Sequence, residues 1–150
     1  MKMKYEQIIQ ASREFVWSIF SNSGNLTRWQ PTLRSFTHKS GQPGRPGAVS
    51  ELVYDENGRK VVVTETVTER RQPVFMARTY DNDRARTLIV HHFEAIDENK
   101  TRFVSYTNMR FKGITKVMSL FVAKSIRARA EADLNRFKLF VETEAAGCAE

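Results

Sequence analysis

The chain has 150 residues, 41% hydrophobic and 11% aromatic, with 24 Lys+Arg against 17 Asp+Glu for a net charge of +7. That length suits one domain (1–150) with a real core, and the ten Phe argue against disorder. The lone Cys148 excludes an internal disulfide or a Cys-based metal site, and no apolar run approaches the ~18 residues of a membrane span. A reducing, cytoplasmic setting is expected.

Residues 3–10 predict a short strand. Ser12 is a candidate N-cap for a helix carrying Phe15, Val16, Ile19 and Phe20 at helical spacing, with Trp17 beside them. Asn22-Ser23-Gly24-Asn25 stops it, and a second short turn over 26–30 ends at Pro31. From about 33 to 111 the apolar period becomes two. The glycine- and proline-rich 41–47 stretch, an Asn57-Gly58 tip, the 70–73 corner, Asp81-Asn82-Asp83 and the 97–100 turn divide this region into strands. Such short connections imply an antiparallel meander. Past Gly113, residues 114–142 hold no Gly or Pro and predict a helix of roughly 40 Å. Its apolar stripe runs through Ile114, Met118, Phe121, Ile126, Ala130, Leu134, Phe137 and Val141. An ordered core of about 4–142 and a frayed tail over 143–150 are expected.

The order is strand, two short helices, a long meander, then one long amphipathic helix. A sheet with one apolar face needs a cover, and the helix has a stripe to bury. The economical solution is an α+β fold with a strongly curved antiparallel sheet of six or seven strands gripping the C-terminal helix. A cavity is expected between them.

Val16-Trp17, Leu26-Thr27-Arg28-Trp29-Gln30-Pro31 and a Gly-Pro-Gly corner before a strand form one set of signals. Thr64-Glu65-Thr66-Val67-Thr68-Glu69-Arg70, Phe93, Thr101-Arg102-Phe103 and the long last helix follow in order. Together they resemble the START-like, Bet v 1-like superfamily (SRPBCC), including its polyketide cyclase/dehydrase-type members, over roughly 4–142. The resemblance implies a helix-grip fold and a hydrophobic pocket. It names no reaction, because the superfamily spans lipid carriers, hormone receptors, cyclases and oxygenase subunits.

Alternation predicts which residues face that pocket. Phe103, Ser105, Thr107, Met109 and Phe111 share one side of the last strand. Thr87, Ile89, His91 and Phe93 share a face of the strand before it, and Val61, Val63, Glu65 and Val67 a face of the long hairpin strand. The expected ligand-binding set is therefore Trp29, Val63, Glu65, Ile89, His91, Phe103, Ser105, Thr107, Met109, Met118, Phe121 and Val122. His91, Glu65 and Tyr80 are the candidates for proton transfer, since ionisable groups among apolar neighbours have shifted pKa values. The alternative is that neighbouring groups or water satisfy each of them, or that they face solvent. Trp17 reads as core, whereas Trp29, at the expected pocket mouth, fits core or ligand contact equally. The apolar 117–123 segment suits a pocket wall, a dimer surface or a lipid-facing entrance.

Adjacent His91 and His92 point to opposite faces of a strand, and His38 is distant, so no metal site and no cofactor are expected. Neither a G-x-S-x-G setting nor a phosphate loop occurs. Arg70, Arg71, Arg78, Arg84 and Arg86 on the meander, with Lys124, Arg127, Arg129, Arg136 and Lys138 on the helix, read as a solvated face. Nucleic acid is not an expected partner, whereas an anionic membrane surface and a homodimer stay open. The leading expectation is binding or transport of a hydrophobic or amphipathic small molecule. A cyclase/dehydratase-like enzyme and a homodimeric interaction module are the alternatives.

Overall fold

The computed structural model describes residues 1–148, and its element order follows the meander expected from the sequence. The strands are β1 (Lys2–Ile9), β2 (Leu33–Ser40), β3 (Val49–Glu56), β4 (Arg59–Arg71), β5 (Phe75–Asp81), β6 (Ala85–Asp97) and β7 (Lys100–Phe111). They form one antiparallel sheet in the order β1-β7-β6-β5-β4-β3-β2. The helices are α1 (Arg13–Ser21), α2 (Leu26–Trp29) and the long α3 (Ile114–Cys148), with one turn of 3₁₀ helix at Ser23–Asn25. This is the curved sheet and C-terminal helix of a helix-grip fold.

Local chemistry sets the corners. Ser12 caps α1, its hydroxyl accepting from the Phe15 amide at 3.2 Å. Asn57 and Gly58 take φ of 56° and 82°, the left-handed pair that a two-residue hairpin with the native twist requires. Register shifts in β2, between Val67 and Glu69 of β4, and near the end of β6 interrupt the ladder, and such bulges bend a sheet. The 41–47 loop folds back onto β4, where the Gly47 amide donates to the Val67 carbonyl at 2.8 Å. Gly41 has φ of 76°, and a Cβ there would meet the Ala48 backbone at 2.9 Å, so only glycine permits this close return.

The concave face is filled by aromatic rings. Phe20 of α1 lies 5.2 Å from Phe93, 5.8 Å from Phe103 and 5.6 Å from Phe137, and Trp29 stacks on the Phe20 ring at 6.3 Å. Trp17 meets Phe93 edge-on at 5.1 Å. Trp29 is thus core and not a pocket mouth, buried between Phe20 and Phe137. Polar ties complete the grip: Gln7 donates to the Leu134 carbonyl at 3.1 Å, and Thr101 to the Ala11 carbonyl at 2.8 Å.

The long helix departs from expectation at both ends. It continues to Cys148 instead of ending near 142, with Ala145 packed against the core; residues 149–150 lie outside the described chain. Of the predicted stripe only Leu134, Phe137 and Val141 are buried. Ile114, Met118 and Phe121 stand exposed. At ~1.5 Å per residue a helix of 35 residues runs about 50 Å, far beyond the span that Leu134–Val141 anchors in the aromatic cluster.

Two residues of that stripe therefore differ sharply in energetic weight. Phe137→Ala, at a fully buried site, is expected to cost about 3–5 kcal/mol of unfolding free energy. Phe121→Ala is expected to stay within about 0.5 kcal/mol, because it empties no packed space. Urea unfolding of both variants measures the difference.

Candidate functional site

A cleft of about 280 Å³ lies between the α1–α2 corner and the β2–β5 side of the sheet. Phe20 and Leu26 form one wall, Phe36 of β2 and Val67 of β4 another, and the 41–47 loop closes over it with Pro43 and Gly44. Polar groups enter from His38, Ser50, Glu65, Arg70 and Arg78. No residue of α3 lines this cleft. The expected space beneath the helix is instead taken by Phe20, Trp29, Phe103 and Phe137 where the helix is gripped.

Register places the polar floor. Ser50 faces Glu65 across β3 and β4, and Glu65 faces Tyr80 across β4 and β5. Arg78 is opposite the inward Val67 and so turns inward too. This corrects the reading of Arg78 as one of several solvated arginines. Its guanidinium lies 5.1 Å from the Phe20 ring centroid and 4.0 Å from the Glu65 carboxylate, with both side chains almost wholly buried. The signal was in the alternation: Tyr80 and Met76 bracket Arg78 at period two, so an inward Tyr80 carries Arg78 with it. Arg70 reaches the cleft from its rim, donating to the Gly44 carbonyl at 3.2 Å and to Gln72 at 2.9 Å.

His91 is buried against Phe20 at 4.6 Å and stacked on Phe103 at 5.4 Å, and its Nδ1 has no hydrogen-bond partner. Burial, then the Arg78 charge and then His92, lower its pKa from 6.5 to about 3, so the ring is neutral at pH 7. Burial and the adjacent Glu65 carboxylate push the Tyr80 phenol well up, keeping it a proton donor at any ordinary pH. Tyr54 is raised for the same two leading reasons, and its hydroxyl donates to Gln30 at 2.9 Å.

Of the residues expected to bind ligand, Glu65 lines the cleft. Phe103, Ser105, His91 and Trp29 are buried in or beside the aromatic cluster. Val63, Ile89, Thr107 and Met109 are half-buried on the inner face beyond it. Met118 and Phe121 are exposed, Val122 is half-buried, and none of the three reaches the cleft. Among the described residues no group of three His, Cys, Asp or Glu side chains is placed to hold a metal ion. No helix among them is long and apolar enough to cross a membrane.

The family model for polyketide cyclase / dehydrase and lipid transport proteins matches residues 1–142. The chain belongs to this family. A comparison with curated proteins finds no match. Among solved structures, the chain is similar to the Zhui aromatase/cyclase from a Streptomyces species at 14% identity, covering 95% of this chain and 93% of that one with a TM-score of 0.77. A START superfamily protein from Mycobacterium smegmatis matches at 14% identity over 98% of both chains, with a TM-score of 0.72. Ara h 8.0201 matches at 16% identity over 95% and 98%, with a TM-score of 0.75. At these identities the likeness is one of fold. Membership in the polyketide cyclase/dehydrase and lipid transport family supports a ligand-binding or cyclase-type role.

The buried imidazole makes stability depend on pH. Between pH 6.5 and about 3 the unfolded chain binds a proton that folded His91 refuses, so its contribution is complete above 6.5 and drains away as pH falls. The loss approaches ~1.4 kcal/mol per pH unit within that window. His91→Phe is expected to flatten this part of the profile, measured as the difference in urea unfolding free energy between variant and parent from pH 7 to pH 4.

Proposed function

We propose that this protein binds a small amphipathic molecule in the cleft between the α1–α2 corner and β2–β5. The ligand's apolar body lies against Phe20, Leu26, Phe36 and Val67, and its polar end meets Glu65 and Arg78. The observation that carries this reading is the almost wholly buried Arg78–Glu65 pair at the floor of a cleft whose walls mix apolar Phe20, Leu26, Phe36 and Val67 with polar Asn22, His38 and Arg70. Ions are costly to bury, and at 4.0 Å these two are not in close hydrogen-bonded contact. Arg78 Nε, the atom nearest the carboxylate, makes no hydrogen bond within the protein, which leaves a donor unspent at the site.

Size narrows the ligand. A volume of about 280 Å³ lies just below the ~300–1,000 Å³ of usual ligand cavities, so only a small ligand fits. Burying on the order of 100 Å² of apolar ligand surface supplies ~2.5 kcal/mol. A micromolar complex needs about 8 kcal/mol. Charge-assisted bonds to the polar floor therefore decide whether binding is useful, and a purely apolar molecule is a poor fit.

The cyclase reading asks for at least two of His91, Glu65 and Tyr80 to converge on one cavity. Glu65 lines the cleft, while His91 is packed between Phe20 and Phe103, and Tyr80, beside Glu65 on β5, is outside the lining. Binding is thus the role the geometry favours.

Anilinonaphthalene sulfonate, a two-ring body with one anionic group, is a suitable probe. Fluorescence titration is expected to show one saturable site on the parent chain. The paired variant Glu65→Gln with Arg78→Met removes both charges together, so no ion is left stranded, and is expected to weaken binding by about tenfold. Equal affinity in that variant would place the probe elsewhere. No saturable binding, together with no retained ligand in native mass spectrometry, defeats the reading.

A further inference from the structure

The first turns of α3 wear their amphipathicity inside out. Thr115, Ser119, Val122, Ala123 and Ile126 occupy the half-buried side. The large apolar residues face outward: Ile114, Val117, Leu120 and Phe121 are 80%, 78%, 88% and 83% exposed. Ordinary burial against the protein's own sheet does not account for four such side chains on one face.

Charge identifies what covers them. Between residues 99 and 130 the chain contains no Asp or Glu, whereas Arg110, Lys112, Lys116, Lys124, Arg127 and Arg129 fall within 110–129. Two of these are neutralised, Lys112 by Asp81 at 2.5 Å and Arg129 by Glu56. Lys116, Lys124 and Arg127 are exposed and form no ion pair among the described residues. At 100° per residue Lys116 and Arg127 border the apolar face beside Leu120, and Lys124 falls within it, between Leu120 and Val117. A basic border on an exposed apolar helix face is the pattern of a helix that lies in a bilayer interface.

We propose that this half of α3 docks on the surface of an anionic phospholipid bilayer. Ile114, Val117, Leu120 and Phe121 enter the boundary between headgroups and acyl chains. Lys116, Lys124 and Arg127 meet lipid phosphates, their stems lying along the apolar face. A second copy of the chain is the poorer occupant, because a two-fold contact sets this basic border against itself with no acidic residue on the segment to answer it. The surface is separate from the cleft, so it stands or falls independently of the ligand-binding reading.

Co-sedimentation of the full chain with vesicles tests this, using phosphatidylcholine alone and equal parts phosphatidylcholine and phosphatidylglycerol. Binding is expected to be at least about tenfold stronger on the anionic vesicles, and to fall in ~1 M salt, where the Debye length shrinks to ~3 Å. Leu120→Glu combined with Phe121→Glu is expected to abolish it, and Lys116→Ala with Lys124→Ala to weaken it by about tenfold. Circular dichroism of each variant, at sites already exposed, controls for folding. The proposal is overturned by equal binding to both vesicle types, or by unchanged binding of the acidic double variant. It is equally overturned if the chain ignores vesicles and sediments as a dimer that the acidic variant dissolves.

Discussion

Phe20 is the wedge on which the arrangement depends. Its ring stands between the sheet and α3, touching Phe93 and Phe103 of the sheet, Phe137 of the helix and Trp29 of α2. A curved sheet cannot close on a single helix without leaving space, and this space is filled from the side by α1. Because Ser12 fixes where α1 begins, the cap also fixes where the wedge arrives. Filling the grip at this end displaces the open volume toward the α1–α2 corner and the 41–47 loop, and there the cleft lies.

The same wedge governs the ionisable groups. Phe20 carries the Arg78 guanidinium on its ring and the His91 imidazole against its other neighbours. Burial keeps the imidazole neutral, while the guanidinium faces the cleft and lies 4.0 Å from the Glu65 carboxylate. A neutral His91 avoids the repulsion that a second cation would suffer beside the Arg78 guanidinium. The polar floor of the cleft is therefore a consequence of how the aromatic core is closed.

A helix longer than its grip has a second consequence. Anchored at Leu134–Val141, α3 spends its remaining length outside the aromatic cluster, and its outward residues are large and apolar. One element thus belongs to two environments. Its C-terminal half completes the core with Phe137, and its N-terminal half presents Leu120 and Phe121 to whatever lies outside. Helical periodicity already separates the halves: the 13 residues from Phe121 to Leu134 turn the helix by about 220°, so Phe121 points away from the face that carries Leu134, Phe137 and Val141.

The meander, its corners and the closing helix were legible in the sequence because each is written locally. Ser12 caps, Asn57-Gly58 turns, Pro31 stops, and strand alternation placed His91, Glu65 and Phe103 on the inner face without reference to any partner. The sides to which Arg78 and Phe121 turn were legible too, in strand alternation and helical spacing, but the location of the cleft and the place where the aromatic core grips α3 were not. Each depends on which distant side chain arrives to fill a given space, and the arrival of Phe20 and Phe137 against Phe103 is a matter of three-dimensional packing. The composition carried one further fact whose meaning needed the structure. The excess of positive charge is uniform in the count, but the fold gathers Lys116, Lys124 and Arg127 along an apolar face and buries Arg78 beside a carboxylate, since only tertiary packing sets each charge's neighbours and its access to water.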